Sequence, residues 1–144
     1  MKKITRSALL PYSAECMFDL VNDVATYPEF LPWCGGSEVI EHTDEKMVAS
    51  ILITKAGLKH QFMTRNELQR PEKIELHLLE GPFKSLYGLW EFQSLDTEAC
   101  KISLDIEFEI NNSLLNAAIG VIFEQIVSTL VQSFCDRAKQ VYGS

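Results

Sequence analysis

Residues 101–134, KISLDIEFEINNSLLNAAIGVIFEQIVSTLVQSF, change their period in the middle. Up to Ile110 the pattern alternates: Ile102, Leu104, Ile106, Phe108 and Ile110 face one way, and Lys101, Ser103, Asp105, Glu107 and Glu109 the other. One apolar and one charged face at a period of two describe a strand in a sheet that covers a core on one side. After Asn111, Asn112 and Ser113, which offer helix caps, the apolar spacing switches to three and four. A helix running to about Val141 gathers Leu115, Ile119, Ile122, Phe123, Ile126, Val127, Leu130, Val131, Phe134 and Ala138 over about half its circumference. That stripe is wider than a helix lying on a surface needs. It has to be wrapped.

The wrapping lies upstream. Residues 2–10 read as a strand, and turn residues at 42–46, 56–59, 69–73, 81–84 and 94–99 divide 37–110 into about six more at hairpin spacing. Leu86, Trp90 and Phe92 repeat the one-sided pattern, and Gly35 with Gly36 punctuate the start of the run. Ser13 is the expected N-cap of a short helix carrying Met17, Phe18, Leu20 and Val21, with Glu15 near its positive end. Residues 1–144 thus read as one α+β domain. A curved antiparallel sheet of about seven strands grips a long C-terminal helix, and two short helices close one end. Such a sheet and helix meet well at their ends and poorly between, and the gap is a natural apolar cavity for a small molecule.

Composition narrows the function classes. With 47% hydrophobic and 23% charged residues the chain is ordinary globular, not disordered or low-complexity. A net charge of −7 disfavours a nucleic-acid backbone as default partner, and no DNA partner is expected. The basic residues thin into two groups, Lys2, Lys3 and Arg6, and Lys55, Lys59, His60 and Arg65. Cys16, Cys34, Cys100 and Cys135 lie far apart without a CxxC, which suggests free thiols in a reducing cytoplasm. Lys2 and Lys3 are followed by no long apolar run, so no signal peptide is expected. Leu114–Val131 contains Asn116, Glu124, Gln125, Ser128 and Thr129, too polar for a membrane span.

The stretch YPEFLPWCGG, residues 27–36, crowds rings onto a segment that Pro28 and Pro32 keep from being a regular helix. Its place in the order of elements is that of a lid over the cavity mouth. Together with DVATYPEFLPWC (23–34), GPFKSLYGLWEF (81–92) and FCDRAKQVYG (134–143), it resembles the coenzyme Q-binding START-like family. More narrowly, it is similar to a bacterial branch of ribosome-association toxins. The resemblance implies a helix-grip fold with a hydrophobic cavity, and it implies two functions. One is binding of ubiquinone or a related prenyl lipid in support of respiration, with transient contact at the inner membrane and no required cofactor beyond that ligand. The alternative is association with the large (50S) ribosomal subunit, blocking formation of the 70S particle.

On the first reading the ligand-binding residues are Tyr27, Phe30, Leu31 and Trp33 of the lid, Phe62, Phe83, Leu86 and Trp90 of the sheet, and Ile119, Ile126, Leu130 and Arg137 of the final helix. Each also has a purely structural reading. Phe30 and Leu31 would plug the sheet's end as core, whereas Tyr27 and Trp33 carry polar atoms suited to a wet mouth. Gly88 removes a side chain where either the helix or a ligand approaches. Arg137 falls inside the apolar stripe, so it needs a partner: a salt bridge or carbonyl near the helix end, or a polar headgroup. Arg6, between Ile4 and Ala8, poses the same choice. Cys34 reads as a small buried hydrophobe or a reactive thiol. On the second reading Lys55, Lys59 and Arg65 face the ribosome, and the acidic face of Glu91, Asp105, Glu107 and Glu109 points away. His42, His60 and His77 show no metal-ligand spacing, and His77, between Leu76 and Leu78, should face solvent. No catalytic set can be assembled, so a non-enzymatic binding protein is expected, with a cyclase- or hydrolase-type enzyme as the alternative because such enzymes use the same fold.

Overall fold

Ser13 caps the first helix as its position promises: its Oγ accepts from the Cys16 amide at 3.1 Å, and helix α1 runs Ala14–Asn22. The structure, a computed structural model, describes the backbone of residues 1–110 and 114–143 and the side chains of 1–110 and 117–143. The expected caps Asn111, Asn112 and Ser113, and the side chain of Leu115, lie outside the described residues. After a short 3-10 turn at Val24–Thr26, the chain makes one helical turn, α2 (Tyr27–Phe30), with Pro28 in its first turn. Leu31 is already extended because Pro32 follows it.

Seven strands then form a single antiparallel sheet: β1 (Lys2–Leu10), β2 (Cys34–His42), β3 (Lys46–Lys55), β4 (Leu58–Gln69), β5 (Lys73–Glu80), β6 (Phe83–Asp96) and β7 (Ala99–Ile110). Their order is β1-β7-β6-β5-β4-β3-β2, a meander closed by the N-terminal strand on the edge of β7. Strand β2 starts earlier than the sequence suggests, so Gly35 and Gly36 lie inside it. The reason is a close approach: a side chain at Gly35 would come within 2.6 Å of Thr54 Cγ2, and the register shifts between Cys34 and Gly36. Between β3 and β4, Ala56 and Gly57 both take positive φ, 54° and 79°, which gives the tight two-residue hairpin its twist.

Helix α3 (Leu114–Tyr142) crosses the sheet's concave side. Ile119, Ile122, Phe123, Ile126, Val127, Val131, Phe134 and Ala138 are buried as the wheel requires, while Val121 on the other side is 58% exposed. By length and apolar composition Ala117–Tyr142 would also pass as a membrane span, contrary to the sequence reading. In this fold its apolar stripe is spent on the sheet instead. Inward residues of β7, Ile102, Leu104, Ile106 and Phe108, meet that stripe, and α1 packs on β6 through Phe18 against Phe92 at 5.4 Å between ring centroids.

Candidate functional site

Between the concave sheet, α3 and the α1–α2 segment lies a cavity of about 80 Å³. It is small beside the roughly 300–1,000 Å³ of an ordinary small-molecule pocket. Of the sequence-derived ligand residues, Tyr27, Trp33, Phe62, Leu86, Trp90, Ile126 and Leu130 line it. Phe30, Leu31, Phe83, Ile119 and Arg137 do not. The sequence reading missed much of the wall: Ala49, Ile51 and Ile53 on β3, Thr64 and Asn66 on β4, Ile74 and Leu76 on β5, and Val21, Asn22 and Val24 beside the lid. Ile106, Phe123 and Val127 complete the wall, and no carboxylate, histidine, lysine, arginine or cysteine lines it among the described residues.

The lid residues divide by what they touch. Tyr27 is no wet-mouth residue: it is buried and its hydroxyl donates to the Val21 carbonyl. That bond fixes α2 to the end of α1, and burial drives the phenol's pKa far upward. Trp33 is half-buried against the cavity, and its carbonyl accepts from the Thr54 amide at 2.7 Å, tying lid to β3. Leu31 is fully buried, and the ring of Phe30 packs on Phe134 and Tyr27 at 5.4 and 6.0 Å. Phe83 belongs to a separate aromatic cluster with Phe62, Phe108 and Phe123.

Arg137 takes the salt-bridge option. Its Nη2 lies 3.5 Å from Glu29 Oε1, and its guanidinium carbon sits 5.0 Å over the Phe30 ring. Helix and lid are thus clamped from outside the cavity by an ion pair and a cation–π contact. Arg6 stays exposed on the edge strand, donating to the Thr5 carbonyl at 2.8 Å. At Gly88 neither helix nor ligand is the neighbour: an added Cβ would meet Ile106 Cδ1 at 2.7 Å and Leu76 Cδ1 at 2.9 Å. The side chains of the two flanking strands close over the glycine and both line the cavity.

Cys34 is the small buried hydrophobe, and burial raises its thiol pKa. Cys100 is wholly buried, which pushes its thiol to about 11, with Cys135, Cys16 and Glu15 adding to the shift. Both Cys100 and Tyr27 therefore hold protons in the fold that the unfolded chain releases above pH 9 and 10. The contribution of these two groups to stability should be constant below about pH 9 and fall above it, by up to about 1.4 kcal/mol per pH unit for each group. Urea midpoints measured from pH 8 to 11 check this, and midpoints that do not fall would contradict it.

His77 is not simply solvent-facing. It packs on Tyr87 at 5.4 Å, with Nε2 3.5 Å from Glu75 and 3.7 Å from Glu67. Those carboxylates are already engaged by Lys73 at 3.2 Å and Arg65 at 3.5 Å, and the Lys73 hydrogen bond lowers the Glu75 pKa. The group is an ion-pair network on the convex face. It also splits the basic set: Arg65 is occupied there, whereas Lys55 and Lys59 stand exposed at the β3–β4 hairpin tip with no ion pair among the described residues. The acidic face is partly answered, through Lys3–Glu107 at 3.2 Å and Thr5–Asp105 at 2.8 Å.

Comparison with known proteins places these features. Residues 10–135 match the family described as polyketide cyclase / dehydrase and lipid transport. A ribosome association toxin, RatA, from Pseudomonas aeruginosa is 49% identical over 140 residues, 97% of each chain. A mitochondrial coenzyme Q-binding protein COQ10 homolog B from Xenopus laevis is 24% identical over 96% of this chain and 59% of its own. Among solved structures, the Zhui aromatase/cyclase from a Streptomyces species superposes with a TM-score of 0.84 at 17% identity, covering 96% and 94% of the two chains. At that identity the likeness is one of fold, the helix-grip.

Proposed function

Because the chain belongs to the polyketide cyclase / dehydrase and lipid transport family and shares its whole length with a ribosome association toxin, we propose that it is a ribosome-associated regulator of translation. Its target on this reading is the large ribosomal subunit, and occupying that surface blocks joining of the small one. The observation that carries the proposal is the near-complete overlap with that relative at 49% identity. The structure supplies a surface that suits it. Lys55 and Lys59 stand exposed on either side of a two-residue hairpin turn, with no ion pair among the described residues, and can meet RNA phosphates. Purified subunits mixed with the protein under joining conditions and run on a sucrose gradient test it. The 70S peak should shrink, and the protein should travel with the large subunit.

The cavity favours a second role, binding of a hydrophobic small molecule. Its walls are mainly apolar, with Asn22, Thr64 and Asn66 as the polar exceptions, and the COQ10 relative is named for coenzyme Q. An intact prenyl quinone exceeds a space of about 80 Å³, so on this reading it enters only with the Trp33 side of the lid displaced.

A further inference from the structure

The two edges of the sheet differ. At one, the register of β2 shifts twice against β3, between Cys34 and Gly36 and between Val39 and Glu41, and the Ser37 hydroxyl ties the strand to the Val24 carbonyl at 2.8 Å. Such breaks blunt an edge. At the other, β1 pairs with β7 without a shift, from Lys2 opposite Phe108 to Leu10 opposite Cys100. Pro11 fixes which backbone groups of β1 are free. It has no N–H, so the last pair, Leu10 with Cys100, is held by the N–H and C=O of Leu10 itself. Even-numbered residues of β1 therefore bond to β7, and the N–H and C=O groups of Lys3, Thr5, Ser7 and Leu9 point off the sheet. The Arg6 guanidinium accordingly finds the Thr5 carbonyl unclaimed and donates to it at 2.8 Å. All four outward residues are exposed, and their N–H groups make no hydrogen bond among the described residues.

We propose that β1 is a docking edge for an extended acidic segment of a partner protein, which adds to the sheet as one further strand. The edge offers donors and acceptors in alternation, and a peptide backbone answers both. RNA phosphates only accept, and would leave the outward carbonyls unpaired. Charge sets the kind of segment: β1 carries Lys2, Lys3 and Arg6 and no acidic residue. Lys2 and Lys3 are held only by exposed pairs with Glu124 and Glu107, which contribute little, and Arg6 has no ion pair among the described residues. The same cations turn away a second copy of the chain. The register that pairs the whole of β1 with another β1 centres on Arg6 and sets the two guanidinium groups opposite each other.

Strand-length peptides that alternate valine with glutamate, or valine with lysine, are the probes, added to the intact protein while backbone amide exchange is followed by NMR. At saturation the glutamate peptide should slow exchange at Lys3, Thr5, Ser7 and Leu9 by about tenfold or more, and leave Ile4 and Ala8, already bonded to β7, as they are. It should bind about tenfold tighter than the lysine peptide near physiological salt. Arg6→Glu, which leaves the backbone as it is, should remove most of that preference. Ser7→Pro, a change that edge strands tolerate, deletes an outward N–H and should abolish the slowing at Thr5 and Leu9. Unchanged exchange at the four amides with the glutamate peptide would overturn the proposal, as would equal affinity for the two peptides. Slowing of the same amides by raised protein concentration alone would make the occupant a second copy and overturn it too. An oligouridylate that slows them where the glutamate peptide does not would assign the edge to RNA instead.

Discussion

Phe134→Ala should lower folding stability by about 3–5 kcal/mol, the largest effect expected of any single truncation in this chain. Phe134 is fully buried on α3, and its ring meets Tyr27, Phe30 and Trp90, each at 5.4 Å between centroids. One side chain therefore joins the long helix, the lid and the cavity wall of β6. Removing it costs the buried ring and leaves a void that the three aromatic neighbours cannot close, since Tyr27 and Phe30 are held on α2 and Trp90 on β6. Edge-to-face pairs add about 0.5–1.5 kcal/mol beyond burial, so the loss belongs at the upper end of the range. Phe30→Ala, at the half-buried rim, should cost visibly less. Urea denaturation of both variants checks the pair, and a loss below about 1.5 kcal/mol for Phe134→Ala would mean the three rings are not packed as described.

Reversing the hairpin charges, Lys55→Glu with Lys59→Glu, should weaken association with the large subunit by on the order of tenfold or more near physiological salt. Each lysine that neutralises a phosphate releases about one counterion, so the double variant should also flatten the salt dependence by about two. The side chains are exposed and make no ion pair among the described residues, so the fold should be untouched. Arg65→Glu is the internal control. Arg65 is held by Glu67 at 3.5 Å on the convex face, and its reversal should matter less for the ribosome. Equal losses for both changes would show that overall charge governs binding, not the hairpin tip.

The architecture was legible because its two decisive elements have clean periods. Strand β7 alternates without exception from Lys101 to Ile110, and the buried face of α3 follows the wheel at its described positions apart from Leu130, which is half-buried. The site was legible only where rings announce it. Trp33 and Trp90 could be picked from composition, but β3 reads MVASILIT, apolar on both faces, so nothing in it says which residues turn inward. On β4 the inward positions include His60, Thr64 and Asn66, a polar pattern that imitates a solvent face. Sequence reasoning fails there for a physical reason: buried polar side chains break the rule that reads burial from hydrophobicity. Arg137 shows the converse. Its place in the apolar stripe was right, and only the partner's position across the lid decided between Glu29 and the cavity.

The gradient of mixed subunits reaches the central proposal most directly. Isolated large and small subunits, combined at equal amounts with and without the protein, are separated under conditions that otherwise give 70S particles. A 70S peak that falls in proportion to added protein, with the protein found in the large-subunit fractions and lost from them in the Lys55→Glu/Lys59→Glu variant, is the expected result. An unchanged 70S peak, with the protein left at the top of the gradient, would contradict it.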